Sequence, residues 1–224
     1  MNFLSHYYFE RYALDPHQVF GGFLPDLLKN VDKNYSFQIQ KYEHLLDSNP
    51  NYLAITTGWK RHLEVDKVFH SSPFFYEHTH RLRKDIEDVV RDLPIRPSFL
   101  AHIALELLLD HLLIAYNVLS VARLYDHLEN IDKYSVKSYL KVFDRIDEDR
   151  FFRFYDRFVE ARYIANYANI ENIPHALYNI CKRIWIFEAS TSHLDELAVR
   201  LDDYKNNHLK NYFNIYIDIQ QTLN

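Results

Sequence analysis

His62, Asp66 and His70 recur at four-residue spacing, and His102, Glu106 and Asp110 repeat the spacing further along the chain. On an α-helix a residue and its fourth neighbour share one face, so each trio forms a stripe that drifts about 40° per step. His111 adds an imidazole about 100° around from Asp110. Imidazole nitrogen and carboxylate oxygen are the donors that suit Mn²⁺, Fe²⁺ or Zn²⁺, and helices hold such donors rigidly. Two facing stripes would therefore close a metal site, where an ion lowers the pKa of a water and neutralises phosphate oxygens. The competing reading makes each stripe the wet side of an amphipathic helix. That reading is weaker for the second stripe. Leu100, Ile103, Leu105, Leu107, Leu108, Leu109 and Leu112 cover so much of that helix that Glu106 and Asp110 approach the core, where an unpaired carboxylate is costly.

Elements that could hold these stripes follow from the spacing of apolar residues, which fits period 3.6 better than period 2. Helices are expected near 1–13, 17–30, 36–46, 51–70, 73–92, 97–128, 134–145, 148–166, 174–187 and 192–221. All prolines but Pro25 fall between these runs, where the ring opens a helix or stops one. The stretch 125–165 alternates charge with aromatics and reads as solvated helices with aromatic inner faces. No Gly, Ser or Pro tract long enough for a linker interrupts the chain, and no fixed repeat appears. An all-α fold is expected, as a single compact multi-helix domain over residues 1–224.

Composition removes several functions. The chain has 3 glycines in 224 residues, from which neither GxGxxG nor GxxxxGK[ST] can be built, so glycine-rich nucleotide cradles are excluded. There is no GxSxG elbow. Lys and Arg total 26 against 31 Asp and Glu, a formal charge of −5 that does not advertise nucleic acid. The apolar run from Phe99 to Leu119 is interrupted by His102, Glu106, Asp110 and His111, which argues against a membrane span. The lone Cys181 and the absence of a secretory signal pattern point to a reducing, cytoplasmic setting. Cys181 itself reads as a small buried hydrophobe. His78 and His80, two residues apart, point to different sides of a helix and read as surface groups.

Four segments occur in a telling order: Met1-Asn2-Phe3-Leu4-Ser5-His6, Gly21-Gly22-Phe23-Leu24-Pro25-Asp26, Gly58-Trp59-Lys60-Arg61-His62 through Asp66, and Asp110-His111-Leu112-Leu113. Together they resemble the acyl carrier protein phosphodiesterases, whose members begin MNFLAH and carry GN-x-x-AD, G-x-x-x-HR-x-ID and DHFL-like segments. The resemblance continues weakly into the last helix. It implies an HD-domain-like helical bundle, a divalent-metal requirement with manganese the usual ion, and hydrolysis of the phosphodiester joining 4′-phosphopantetheine to a serine of holo-acyl carrier protein. Carried over by position, it implies Asp26, His62, Asp66 and Asp110 as metal ligands, with His6 and His111 as catalytic groups. His70, His102 and Glu106 are additional candidate ligands.

The departures bear on substrate more than on metal. Gly22 stands where the family has Asn, Leu63 where it has Arg, His70 and Glu106 where it commonly has Asp, and His102 where a small residue is usual. Each change on the stripes still offers a nitrogen or oxygen donor. Leu63 removes a planar guanidinium suited to phosphate. An acidic carrier protein would need a basic dock, for which Arg81, Arg83, Lys84 and Arg91 after Pro73 are the candidates. The alternatives are a non-catalytic helical binding protein that retained the fold, and a phosphohydrolase acting on another phosphodiester or a nucleotide.

Overall fold

The computed structural model describes residues 1–46 and 49–223, and among these the regular structure is entirely helical. The all-α expectation is borne out. Twelve α-helices follow in order: α1 (Phe3–Glu10), α2 (Pro16–Val31), α3 (Glu43–Leu46), α4 (Pro50–His70), α5 (Pro73–Ile86), α6 (Pro97–Ala115), α7 (Val121–Glu129), α8 (Lys133–Leu140), α9 (Glu148–Ala161), α10 (Ile173–Cys181), α11 (Thr191–His208) and α12 (Asn214–Leu223).

Local chemistry explains most starts. Asp15 accepts from the His17 amide ahead of α2, Ser72 from Phe75 ahead of α5, Ser120 from Arg123 ahead of α7, and Asp147 from Arg150 ahead of α9. Each cap satisfies a backbone donor that the first turn leaves open. Pro16, Pro73 and Pro97 occupy first-turn positions where no amide is needed.

Several expected boundaries move. The run 97–128 is two helices, because Asn117 takes a left-handed φ of 54° and Ser120 then caps a new start. The run 192–221 divides at Leu209–Phe213, between α11 and α12. Region 36–46 holds only a short 3₁₀ turn, Ile39–Lys41, and the single turn of α3. α9 stops at Ala161, where Arg162 has φ 44°. α5 ends at Ile86, so Arg91 lies beyond the helix expected to carry it.

The chain divides into two compact units, each discontinuous in sequence. The α6 unit comprises Met1–Ser5, Lys67–Val118 and Ala165–Asn224, and the α2 unit comprises His6–Asp66 and Leu119–Ile164. Because the segments of each unit alternate along the chain, no linker composition marks a boundary, which is why one domain over 1–224 is the natural reading of the sequence alone.

In the α6 unit, α5, α10 and α11 pack on α6, whose Leu100, Ala104, Leu107 and Leu108 are fully buried. α6 is long and apolar enough to span a membrane by length and hydropathy, with 67% of its apolar window buried within the protein. In the α2 unit, Phe20 meets Phe151 and Tyr155 edge-on, so the aromatic inner face expected for α9 is present. α2 and α4 approach backbone to backbone. A Cβ on Gly21 would lie 2.1 Å from the Ile55 carbonyl oxygen, and one on Gly58 would lie 2.0 Å from that of Gln18. All three glycines of the chain, Gly21, Gly22 and Gly58, lie at this crossing, and at Gly21 and Gly58 only a missing side chain permits the approach.

Candidate metal centre

The close α2/α4 crossing sets up the first group of donors, which lies wholly in the α2 unit. His62 Nδ1 is 2.8 Å from the Gly22 carbonyl oxygen, so that nitrogen carries the proton and donates. The hydrogen bond fixes tautomer and ring plane and leaves the Nε2 lone pair facing the carboxylates, the arrangement that orients a metal-binding imidazole. Nε2 lies 3.6 Å from Asp66 Oδ2 and 4.0 Å from Asp26 Oδ1. From α1, His6 Nε2 comes within 3.3 Å of Asp66 Oδ1. The His6 and His62 rings stack with centroids 3.7 Å apart and planes 16° from parallel.

His6, His62 and Asp66 each offer a donor atom within 4.8 Å of the others. Atoms bonded to one ion at about 2.0–2.2 Å lie about 3–4.4 Å apart, depending on the angle between them, so the spacing suits a shared cation. Burial and the neighbouring His62 push the His6 pKa down to about 3, which keeps its imidazole neutral. Burial works against charge on Asp66, but the hydrogen bond from His6 holds its carboxyl well below the usual range. Asp26 moves the other way, raised chiefly by desolvation. Both imidazoles are buried whereas the Asp66 side chain is 30% exposed, so the group is open on the carboxylate side.

The second group lies in the α6 unit. His70 ends α4, while His102 and Glu106 stand one turn apart on α6. His70 Nε2 and His102 Nε2 are 3.3 Å apart and lie 3.2 Å and 3.0 Å from Glu106 Oε1. The stripe His62, Asp66, His70 is thus shared between two groups of donors, and the sequence spacing alone did not reveal that.

Asp110 and His111, also in the α6 unit, have other engagements. The Asp110 carboxylate accepts from Asn2 Nδ2, from the Leu4 and Ser5 amides and from Ser5 Oγ, at 2.7–3.0 Å. It caps the start of α1, and neither group of converging donors includes it. Burial pushes its pKa up to about 6 against the pull of those donors, with Glu106 one turn away adding to the rise. His111 Nδ1 donates to the Tyr167 carbonyl at 2.8 Å. Among the basic residues, Arg81 and Lys84 are exposed, Arg81 lies 2.9 Å from His208 Nδ1, Arg91 pairs with Asp88, and the Arg83 Nε is buried. His78 is half-buried against Tyr204, 2.7 Å from its hydroxyl, and not a surface group.

Spacing alone finds His62 and Asp66; it could not find His6 or Asp26, which come from other helices. The Gly22 carbonyl was missed, its only signal being the scarcity of glycine. The family profile described as acyl carrier protein phosphodiesterase matches residues 1–219. Searches of curated proteins and of solved structures found no match.

Proposed function

Because the chain belongs to the acyl carrier protein phosphodiesterase family, we propose that it is a metal-dependent phosphodiesterase that releases 4′-phosphopantetheine from the serine of holo-acyl carrier protein. The observation that carries the metal requirement is the convergence of His6, His62 and Asp66. Two neutral nitrogen donors and one ionised carboxylate fit a divalent ion, and Mn²⁺ accepts such a mixed set. His6 Nε2, His62 Nε2 and Asp66 would hold it, with Asp26 at the edge. When bound, the ion supplies a water of lowered pKa and neutralises charge on the phosphoryl oxygens.

The chain's own residues do the rest. Gly22 fixes the His62 ring through Nδ1, so Nε2 keeps its lone pair. Asp66 stays ionised and supplies the negative charge of the site. His6, held neutral, donates from Nε2 to Asp66, and it would present that nitrogen's lone pair to an ion in the other tautomer, with the proton on Nδ1. Asp26 is the carboxyl raised by desolvation, and its Oδ1 is the atom suited to pass a proton to the leaving serine oxygen. His111 and Asp110 serve this reading by anchoring helices.

The test is direct. Holo-acyl carrier protein incubated with the protein and Mn²⁺ should lose its phosphopantetheine, read as a mass decrease. His62→Ala and Asp66→Asn should each lower turnover at least about a hundredfold, the range set by losing a metal-centre group. Intact carrier protein after prolonged incubation with metal-loaded enzyme would overturn this substrate. One observation favours a second reading, another phosphodiester: Leu63 is exposed at 37% where the family carries Arg. If an anion clamp is what is missing, Leu63→Arg should raise kcat/KM on holo-acyl carrier protein without changing metal affinity.

A further inference from the structure

The three atoms His70 Nε2, His102 Nε2 and Glu106 Oε1 form a nearly equilateral triangle with edges of 3.3, 3.2 and 3.0 Å. Ligands at about 2.0–2.1 Å from a tetrahedral ion are about 3.3–3.4 Å apart, and octahedral neighbours are about 2.9 Å apart, so the triangle is the size of one face of a coordination polyhedron. We propose that His70, His102 and Glu106 form a second divalent-cation site, which takes Zn²⁺ in preference to Mg²⁺.

Donor chemistry sets the selectivity. Two imidazoles and one carboxylate favour a borderline ion, whereas Mg²⁺ asks for oxygens and retains its waters. The surroundings suit the same ion. The Phe75 ring stands edge-on to both imidazoles, with centroids 4.9 Å from each, and Phe69 flanks His70 at 5.1 Å. This apolar wall restrains both rings and lowers the local dielectric, which strengthens ligation. Glu106 is buried, while the His70 and His102 side chains are 32% and 38% exposed. The anion is therefore inside, and the two imidazoles form the solvent-facing side of the group. The Met1 amino group also lies 3.2 Å from Glu106 Oε1, so an ion binding there would displace it from that oxygen or take it in its neutral form. An ion here would tie the last residue of α4 to the middle of α6 within one unit.

Two imidazole N–H groups donating to one carboxylate oxygen would give similar contacts without an ion, and the response to zinc separates the two arrangements. The full-length protein, stripped by chelator, is titrated calorimetrically with Zn²⁺ and melted with and without it, beside His102→Gln and Asp66→Asn. Wild type should bind one more equivalent of Zn²⁺ than His102→Gln. The part of the zinc-induced rise in Tm that disappears in His102→Gln should survive in Asp66→Asn, which disables only the other donors. Millimolar Mg²⁺ should not displace it. Equal zinc stoichiometry and equal Tm shifts in wild type and His102→Gln would overturn the site, and displacement by Mg²⁺ would overturn its selectivity. If circular dichroism shows His102→Gln misfolded, His70→Gln is read in its place by the same criteria. The proposal does not depend on the hydrolase reading, since no step of the test uses turnover.

Discussion

A carboxylate that accepts four hydrogen bonds cannot be replaced by its amide without stranding donors. Asp110→Asn exchanges one acceptor oxygen for an NH₂ group that faces either the Leu4 amide and Asn2 Nδ2 or the Ser5 amide and hydroxyl. Each buried donor left unsatisfied costs about 1–3 kcal/mol, so the variant should be clearly destabilised in denaturant titrations. Its Tm shift with Mn²⁺ should match that of wild type, because Asp110 spends its oxygens on α1. A second test at this scale concerns acid. Burial and the nearby Arg81 push the His78 pKa down to about 4, from an unfolded value near 6.5. The unfolded chain then binds the proton first, so the contribution of His78 is complete above about pH 6.5 and is lost as pH falls towards 4. Over that window the urea midpoint of His78→Gln should fall less steeply than that of wild type.

Helices decide which residues meet, and glycine decides how closely. Gly21→Ala and Gly58→Ala should each destabilise by at least about 1–3 kcal/mol, the cost of overpacking, since their new methyl groups would run into backbone. Gly22→Ala should be neutral or stabilising by up to about 1 kcal/mol, because its Cβ would make ordinary contacts, with Glu10 Cγ at 3.5 Å and the Gly58 carbonyl oxygen at 3.9 Å. Thermal melts of the three variants check the ordering. Helical class and the pairing of His62 with Asp66 were legible, because a four-residue step on a helix is a geometric fact. The partners of each pair were not. A stripe of three at this spacing covers about 12 Å of helix rise, more than one ion's ligand sphere, but nothing in the spacing says which other elements complete each end. The break at Asn117 was equally hidden, since a left-handed residue inside an apolar run leaves the periodicity almost undisturbed.

Across the whole molecule the charge is −5, so an acidic carrier protein would be repelled on average and only a local patch could attract it. If exposed Arg81 and Lys84 form that patch, kcat/KM should fall as salt rises, and the double variant Arg81→Glu/Lys84→Glu should raise KM about tenfold with kcat and Tm little changed. A rate that increases with salt would mean that net repulsion dominates and that docking lies elsewhere.

The alternation of segments between the two units also fixes an order of birth. When the ribosome has released residue 164, every segment of the α2 unit exists, whereas the α6 unit still lacks Ala165–Asn224. At about 5–20 residues per second, that last stretch arrives about 3–12 s later. During the interval α6, with a mean hydropathy of 1.6 over its apolar window, has neither α10 nor α11 to cover it. The nascent chain is therefore most exposed to chaperones and to aggregation in the interval before Ala165–Asn224 arrives, and the helix at risk is the one that carries His102, Glu106 and Asp110.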